Sequence, residues 1–238
     1  MDKLVFYIKN YNVLTLVKFL YFETIILIKG LLLNSYSQHG EDLFIYKYFK
    51  KKNSGFYIDI GAYHPKRFSN TFFFYNKSWK GINIEANPDL IHQFNNSRVR
   101  DLNLNLGVSN VKEKLSFYVF NPPTLSTFDF NSKEEYIAKG YDYVKSIMVE
   151  VLPIREIINQ YCKNTIIDFI SIDVEGHEIE VLEGFNNLNN LPKLICLESL
   201  DLKFEKKETF DEILDTLKNL GYIKIKEIGV NVFFEKTN

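Results

Sequence analysis

The sequence predicts an α/β fold: a Rossmann-like, mostly parallel sheet closed by a C-terminal antiparallel hairpin, with an apolar helical arm in front of it. Three observations predict this. Two apolar runs, GFYIDIGAYH at 55–64 and IIDFISIDVEGHE at 166–178, end abruptly in acids, as buried parallel strands do where they deliver chemistry past their carboxyl ends. Beyond Ser35, strand and helix signals alternate without an internal repeat or a low-complexity linker. The last two alternating strands, Tyr222 to Ile228 and Val230 to Glu235, are separated by almost nothing, so they can only pair antiparallel.

The elements follow in order. Asp42 to Lys51 reads as a short helix, Phe56 to Ile60 as a buried strand, Phe68 to Asn76 as a helix and Gly81 to Glu85 as a second buried strand. Pro88 to Asn95 suits a helix with proline in its first turn. Leu102 to Val108 reads as a third strand and Lys114 to Phe120 as a fourth with alternating faces; Ile154 to Tyr161 is a helix and Ile166 to Ile172 a strand. A helix begins near His177, and Lys193 to Glu198 is the next strand. Thr209 and Glu212 form a capping box ahead of an apolar stripe that Gly221 ends. Between Asn121 and Met148 regular signals are few while aromatic residues are many, among them Phe128, Tyr136 and Tyr141. This stretch is expected to be a long lid over an acceptor, since aromatic content argues against disorder.

At 238 residues and 46% hydrophobic, the chain suits one large domain over 35–238 with an appended arm over 1–34. A net charge of -1 argues against a nucleic-acid partner. The two cysteines, Cys162 and Cys196, form neither a disulfide framework nor a thiolate metal cage, and no export signal is evident. The cytoplasm is the expected location. Val13 to Leu33 is apolar but broken by Lys18, Glu23 and Lys29, against a membrane span. Such a helix must be covered, by its own domain, by a second copy in a homodimer or by the plane of a membrane surface.

The turn after the first strand narrows the ligand. Dinucleotide enzymes carry several glycines there so that backbone can approach a pyrophosphate. Here a single Gly61 is followed by Ala62, Tyr63, His64 and Pro65. Glu85, 24 positions after Gly61, stands near the offset of an acid that takes ribose hydroxyls. An adenosine-bearing ligand without phosphates is favoured, of which S-adenosylmethionine is the common one.

At this point the segments SQHGED (37–42), YIDIGA (57–62), IEANP (84–88), NLGVS (105–109) and IDVEGHE (172–178) together resemble, in order, the motifs of FkbM-type S-adenosylmethionine-dependent methyltransferases. The resemblance runs from about Ser37 to the final hairpin and implies a class I methyltransferase fold, S-adenosylmethionine as donor and O-methylation of a sugar or natural-product hydroxyl. Carried over, it implies that Asp59, Gly61 and Ala62 lie along the methionine part of the cofactor. Glu85 would take the ribose diol with Ala86 and Asn87 beside it, and Asn105 and Leu106 would border the adenine. Gln38, Glu41 and Tyr63 would also line this site. Tyr63, His64 and Pro65 replace smaller residues of the family pattern.

Methyl transfer to a hydroxyl needs the acceptor oxygen in line and benefits from a proton acceptor. Asp173, ending the fourth parallel strand, is expected to face the methyl group. His177 is the expected proton acceptor, because imidazole exchanges a proton near neutral pH, with Glu175 as its substitute or support. A divalent ion held by a set drawn from Asp173, Glu175, His177, His39 and His64 is the less favoured arrangement, no pair having a metal-motif spacing. A nicotinamide oxidoreductase is disfavoured by the glycine-poor turn, and a non-catalytic scaffold docking through its arm is the remaining alternative. The expected acceptor is a small molecule or glycan.

Overall fold

The computed structural model describes residues 34–198 and 207–237, together with Thr24, Ile28 and Leu32. The expectations for the arm over 1–34 therefore lie almost wholly outside the described residues. Among the described residues, no helix is long and apolar enough to cross a membrane.

The main sheet has seven strands: β1 (Phe56–Ile60), β2 (Lys80–Ile84), β3 (Leu102–Leu104), β7 (Phe169–Ile172), β8 (Leu194–Glu198), β9 (Tyr222–Ile228) and β10 (Asn231–Lys236), in the spatial order β3-β2-β1-β7-β8-β10-β9. Pairings through β8 are parallel and those of β10 with β8 and β9 are antiparallel. This is the Rossmann-like class I methyltransferase sheet. The chain runs outward from β1 in one direction through β2 and β3, then returns to the other side of β1 with β7. The strand order thus reverses at β1 and β7, where open α/β sheets bind their ligands.

Period-two alternation gives the sheet two unlike faces. Tyr57, Phe169, Leu194, Cys196 and Phe233 point to an aromatic layer with Trp79 and with α1 (Glu41–Tyr48) and α2 (Phe72–Asn76). Ile58, Ile60, Ile170, Ile172, Ile195 and Leu197 point to an aliphatic layer with α5 (Ile154–Tyr161), α6 (Glu178–Glu183) and α7 (Lys207–Asn219). Phe169 alone has four ring neighbours, Phe49, Tyr57, Phe74 and Trp79, within 6.5 Å. Burial of a side chain of this kind stabilises by about 1.5–3 kcal/mol.

Several local expectations change. The helix predicted over 68–76 begins only at Phe72, because Phe68 is left-handed at φ 55°. The strand predicted over 102–108 is two strands in two sheets. β3 ends at Leu104, Asn105 donates its side-chain amide to the carbonyls of Glu85 and Ala86, and β4 (Gly107–Ser109) joins a second sheet. That sheet, ordered β4-β6-β5, contains β5 (Glu113–Asn121) and the 12-residue β6 (Asp142–Pro153). The expected irregular lid is thus largely regular, since α4 (Phe130–Ala138) also falls within it, capped by Asp129 on the Ser132 amide at 2.6 Å. Thr209 lies inside α7 rather than at its cap. Helix α3 (Pro88–Ser97) is capped by Asn87 through the Asp89 amide.

Candidate active site

A cavity of about 910 Å³ opens beyond the carboxyl ends of β1, β2, β7 and β8. Each strand that reaches it releases one acid: Asp59 within the last turn of β1, Glu85 after β2, Asp173 after β7 and Glu198 ending β8. The order of the strands therefore lays four carboxyl groups in a row. Adjacent strands are spaced about 4.8 Å, so the row from β2 to β8 spans about 14 Å.

The turn after β1 is built for close approach. Gly61 sits at φ 75°, its amide and that of Ala62 both donate to the Ile84 carbonyl, and a side chain at Gly61 would begin 1.7 Å from the Asp173 carbonyl oxygen. Tyr63, left-handed at φ 52°, turns its amide onto Glu85 Oε2 at 2.8 Å, and the Asn87 amide donates to Oε1 at 2.7 Å. Burial pushes the Glu85 carboxyl up to about 7 against these two donors. Asp59 accepts from Thr71 Oγ1 at 2.6 Å, and burial raises it to about 6, opposed by that bond and by the buried Arg98. Arg98 in turn bonds Thr71, Ser69 and the Pro65 carbonyl, which fixes the loop forming this wall.

On the other side of the cavity, burial raises Asp173 well above the usual carboxylate range, and the charge and hydrogen bond of Glu198 add to the rise. Asp173, Glu175 and Glu198 offer oxygens within 4.8 Å of one another. These three carboxylates could hold a divalent cation; no histidine belongs to the group. Glu175, left-handed at φ 54°, accepts from the Tyr136 hydroxyl at 3.1 Å, and its carbonyl accepts from Thr127 Oγ1 at 2.7 Å. Aromatic side chains of the second sheet and its connections, Phe117, Phe128, Tyr136 and Tyr141, close the remaining wall.

A model of the methyltransferase FkbM domain matches residues 59–224, most of the chain, from the end of β1 into β9. The chain belongs to the methyltransferase FkbM domain family. It is therefore an S-adenosylmethionine-dependent methyltransferase. No curated protein matches it. Among solved structures, it is similar to a candidate caffeoyl-CoA O-methyltransferase of Staphylococcus aureus at 12% identity, covering 83% of this chain and 82% of that one with a TM-score of 0.48. A precorrin-6y C5,15-methyltransferase of Geobacter metallireducens is similar at 11% identity, with coverage of 82% and 87% and a TM-score of 0.40.

In this FkbM methyltransferase the cavity brings together Gln38, Asp59, Gly61, Ala62, Tyr63, Glu85, Ala86, Leu106, Asp173 and Glu175, all of which line it. It does not bring in four others. Glu41 is fully buried behind the wall, accepting from the His39 amide and from Asn231. Asn87 and Asn105 brace the backbone around Glu85 from outside, as a helix cap and as a donor to two carbonyls. His177 is buried at the start of α6, its Nε2 3.2 Å from Ser109 Oγ and its ring against Phe128, and burial lowers its proton affinity. The expected proton acceptor is thus turned away from the cavity because the α6 entry packs on β4. Sequence reasoning missed Glu198, although LICLE at 194–198 is a third apolar run ending in an acid.

The residues present fit the cofactor. Gly61 lets the turn after β1 pack directly on the Asp173 carbonyl, and the carboxyl oxygens of Glu85, each already anchored by one amide, retain acceptor capacity for a diol. A volume of about 910 Å³ lies in the range of small-molecule and cofactor pockets.

Proposed function

We propose that this enzyme methylates a hydroxyl of a sugar, a glycan precursor or a related small molecule. The observation that carries the reading is the two-ended cavity. One end has buried carboxyl groups on rigid strand tips, and the other has an aromatic wall containing Phe117, Phe128, Tyr136 and Tyr141. Aromatic faces suit the apolar faces of a sugar ring, and the adjoining carboxylates suit its hydroxyls.

When bound, S-adenosylmethionine supplies a methyl carbon made electrophilic by a positively charged sulfur. Glu85 would hold the ribose diol, and the Gly61–Tyr63 turn would orient the adjoining chain. Asp173 and Glu198 would be the acidic pair nearest the positive charge, and the aromatic wall would position the acceptor and exclude water. Each role places binding energy on groups that the sheet has already fixed.

The test is incubation with methyl-labelled S-adenosylmethionine and a panel of glycans, nucleotide sugars and free sugars. Label on a carbohydrate oxygen supports the reading; label only on protein or nucleic acid refutes it.

A further inference from the structure

Among the described residues, the cavity is lined by one histidine, His39, whose setting differs from that of His177. His39 lines the cavity with its side chain about half exposed, at 48%, and its Nδ1 lies 3.4 Å from Oε1 of Glu41. Glu41 is fully buried, and both its oxygens are occupied. Oε2 accepts the His39 backbone amide at 2.7 Å, and Oε1 accepts Asn231 Nδ2 at 3.0 Å. The hairpin turn lies against the same Nδ1 edge: Gly229 is left-handed at φ 61°, and a side chain there would begin 2.5 Å from Nδ1. Its own segment, through Glu41, and the C-terminal hairpin, through Gly229 and Asn231, therefore hold the imidazole. A proton on Nδ1 would lie beside the Glu41 carboxylate, and Nε2 would then be the acceptor nitrogen.

We propose that His39 is the proton acceptor for the hydroxyl that is methylated, with Glu41 as its positioning residue. This rests on the proposed function above. Position supports it, because Asn231, which bonds Glu41, is the cross-strand partner of Glu198. The dyad thus stands beyond β8, at the opposite end of the row of acids from Glu85. The other groups at this end are less suited. Burial and the neighbouring Glu198 make Asp173 hard to ionise, Glu175 is engaged by Tyr136, and His177 is buried against Ser109. In the step itself, the hydroxyl oxygen bonds to the methyl carbon while the broken bond leaves its electron pair on sulfur. The hydroxyl proton passes to Nε2, and the imidazolium so formed lies beside the Glu41 carboxylate, which offsets its charge.

Two readouts test this. The first needs no acceptor: long-range ¹H–¹⁵N spectra of the native protein, with His39 assigned through His39→Gln. The proposal expects an Nδ1-protonated ring whose Nε2 resonance moves when S-adenosylhomocysteine is added, and a mixed tautomer in Glu41→Gln. An Nε2-protonated ring, or a resonance indifferent to the ligand, overturns it. The second uses the acceptor found by the labelling panel: His39→Gln should lower kcat by about 10²-fold or more with KM for S-adenosylmethionine within about twofold. Unchanged kcat overturns the proposal. A panel with no labelled carbohydrate counts instead against the proposed function, and the tautomer in the free protein still decides whether the dyad exists.

Discussion

Strand β7 carries an acid at each end, and the two are treated oppositely. At its amino end Asp168 is buried but surrounded by donors: Lys52 Nζ at 2.8 Å, Lys193 Nζ at 2.9 Å and the Phe56 amide at 3.1 Å. Five residues later Asp173 meets Glu198 and Glu175, and burial and like charges raise it well above the usual carboxylate range. A buried acid supplied with cations is structural. A buried acid crowded by other acids is arranged for a positive charge that arrives from outside, and on the proposed function that charge is the sulfonium of the cofactor.

This contrast can be broken at four points. The largest effect is expected from Asp168→Ala, which leaves a buried amide and two half-exposed lysines without their acceptor and should cost about 2–3 kcal/mol in urea unfolding. Its affinity for S-adenosylhomocysteine should stay within about twofold, and a larger change would make this end functional too. Asp173→Asn should do the reverse, leaving unfolding stability within about 1 kcal/mol while weakening S-adenosylmethionine about 30- to 100-fold, or about 2–2.7 kcal/mol. The uncharged S-adenosylhomocysteine should weaken much less.

Glu85→Gln should weaken both ligands by about tenfold, since an amide keeps only one acceptor oxygen for the diol and the anchoring amides. In the native protein the free carboxyl titrates at about 7, and protonation removes acceptor capacity. Affinity for S-adenosylhomocysteine should therefore rise with pH up to about 7 and then level, and Glu85→Gln should flatten that rise. A native profile flat from pH 5.5 to 8 would remove Glu85 from the site. The smallest effect is a fraction of a proton: binding the cation favours the ionised acid pair, so S-adenosylmethionine should release protons that S-adenosylhomocysteine does not. Calorimetry in buffers of different ionisation enthalpy would read the difference.

The centre of the main sheet was legible because β1, β2, β7 and β8 are buried on both faces and read as apolar runs, and Ile154–Tyr161 was predicted to the residue. The second sheet was not. The first five residues of β6, Asp142 to Ser146, are exposed, so burial imposes no alternation on them, and the pattern emerges only at Ile147, Val149 and Val151. The break between β3 and β4 was hidden because what ends the strand is tertiary, the Asn105 amide reaching back to the carbonyls after β2. For the site, acids at strand ends were visible wherever an apolar run preceded them, and Glu198 obeyed the same rule unread. Which histidine faces the cavity was not visible, since both stand at helix entries and only the packing of α6 on β4 turns His177 inward.

The most direct test of the acid-row account is a paired titration of S-adenosylmethionine and S-adenosylhomocysteine into the native protein and Asp173→Asn, at one pH near neutrality. The account predicts that native protein prefers the sulfonium and that the substitution abolishes the preference while the fold and thioether binding persist. Equal weakening of both ligands, or a preference unchanged by the substitution, would contradict it.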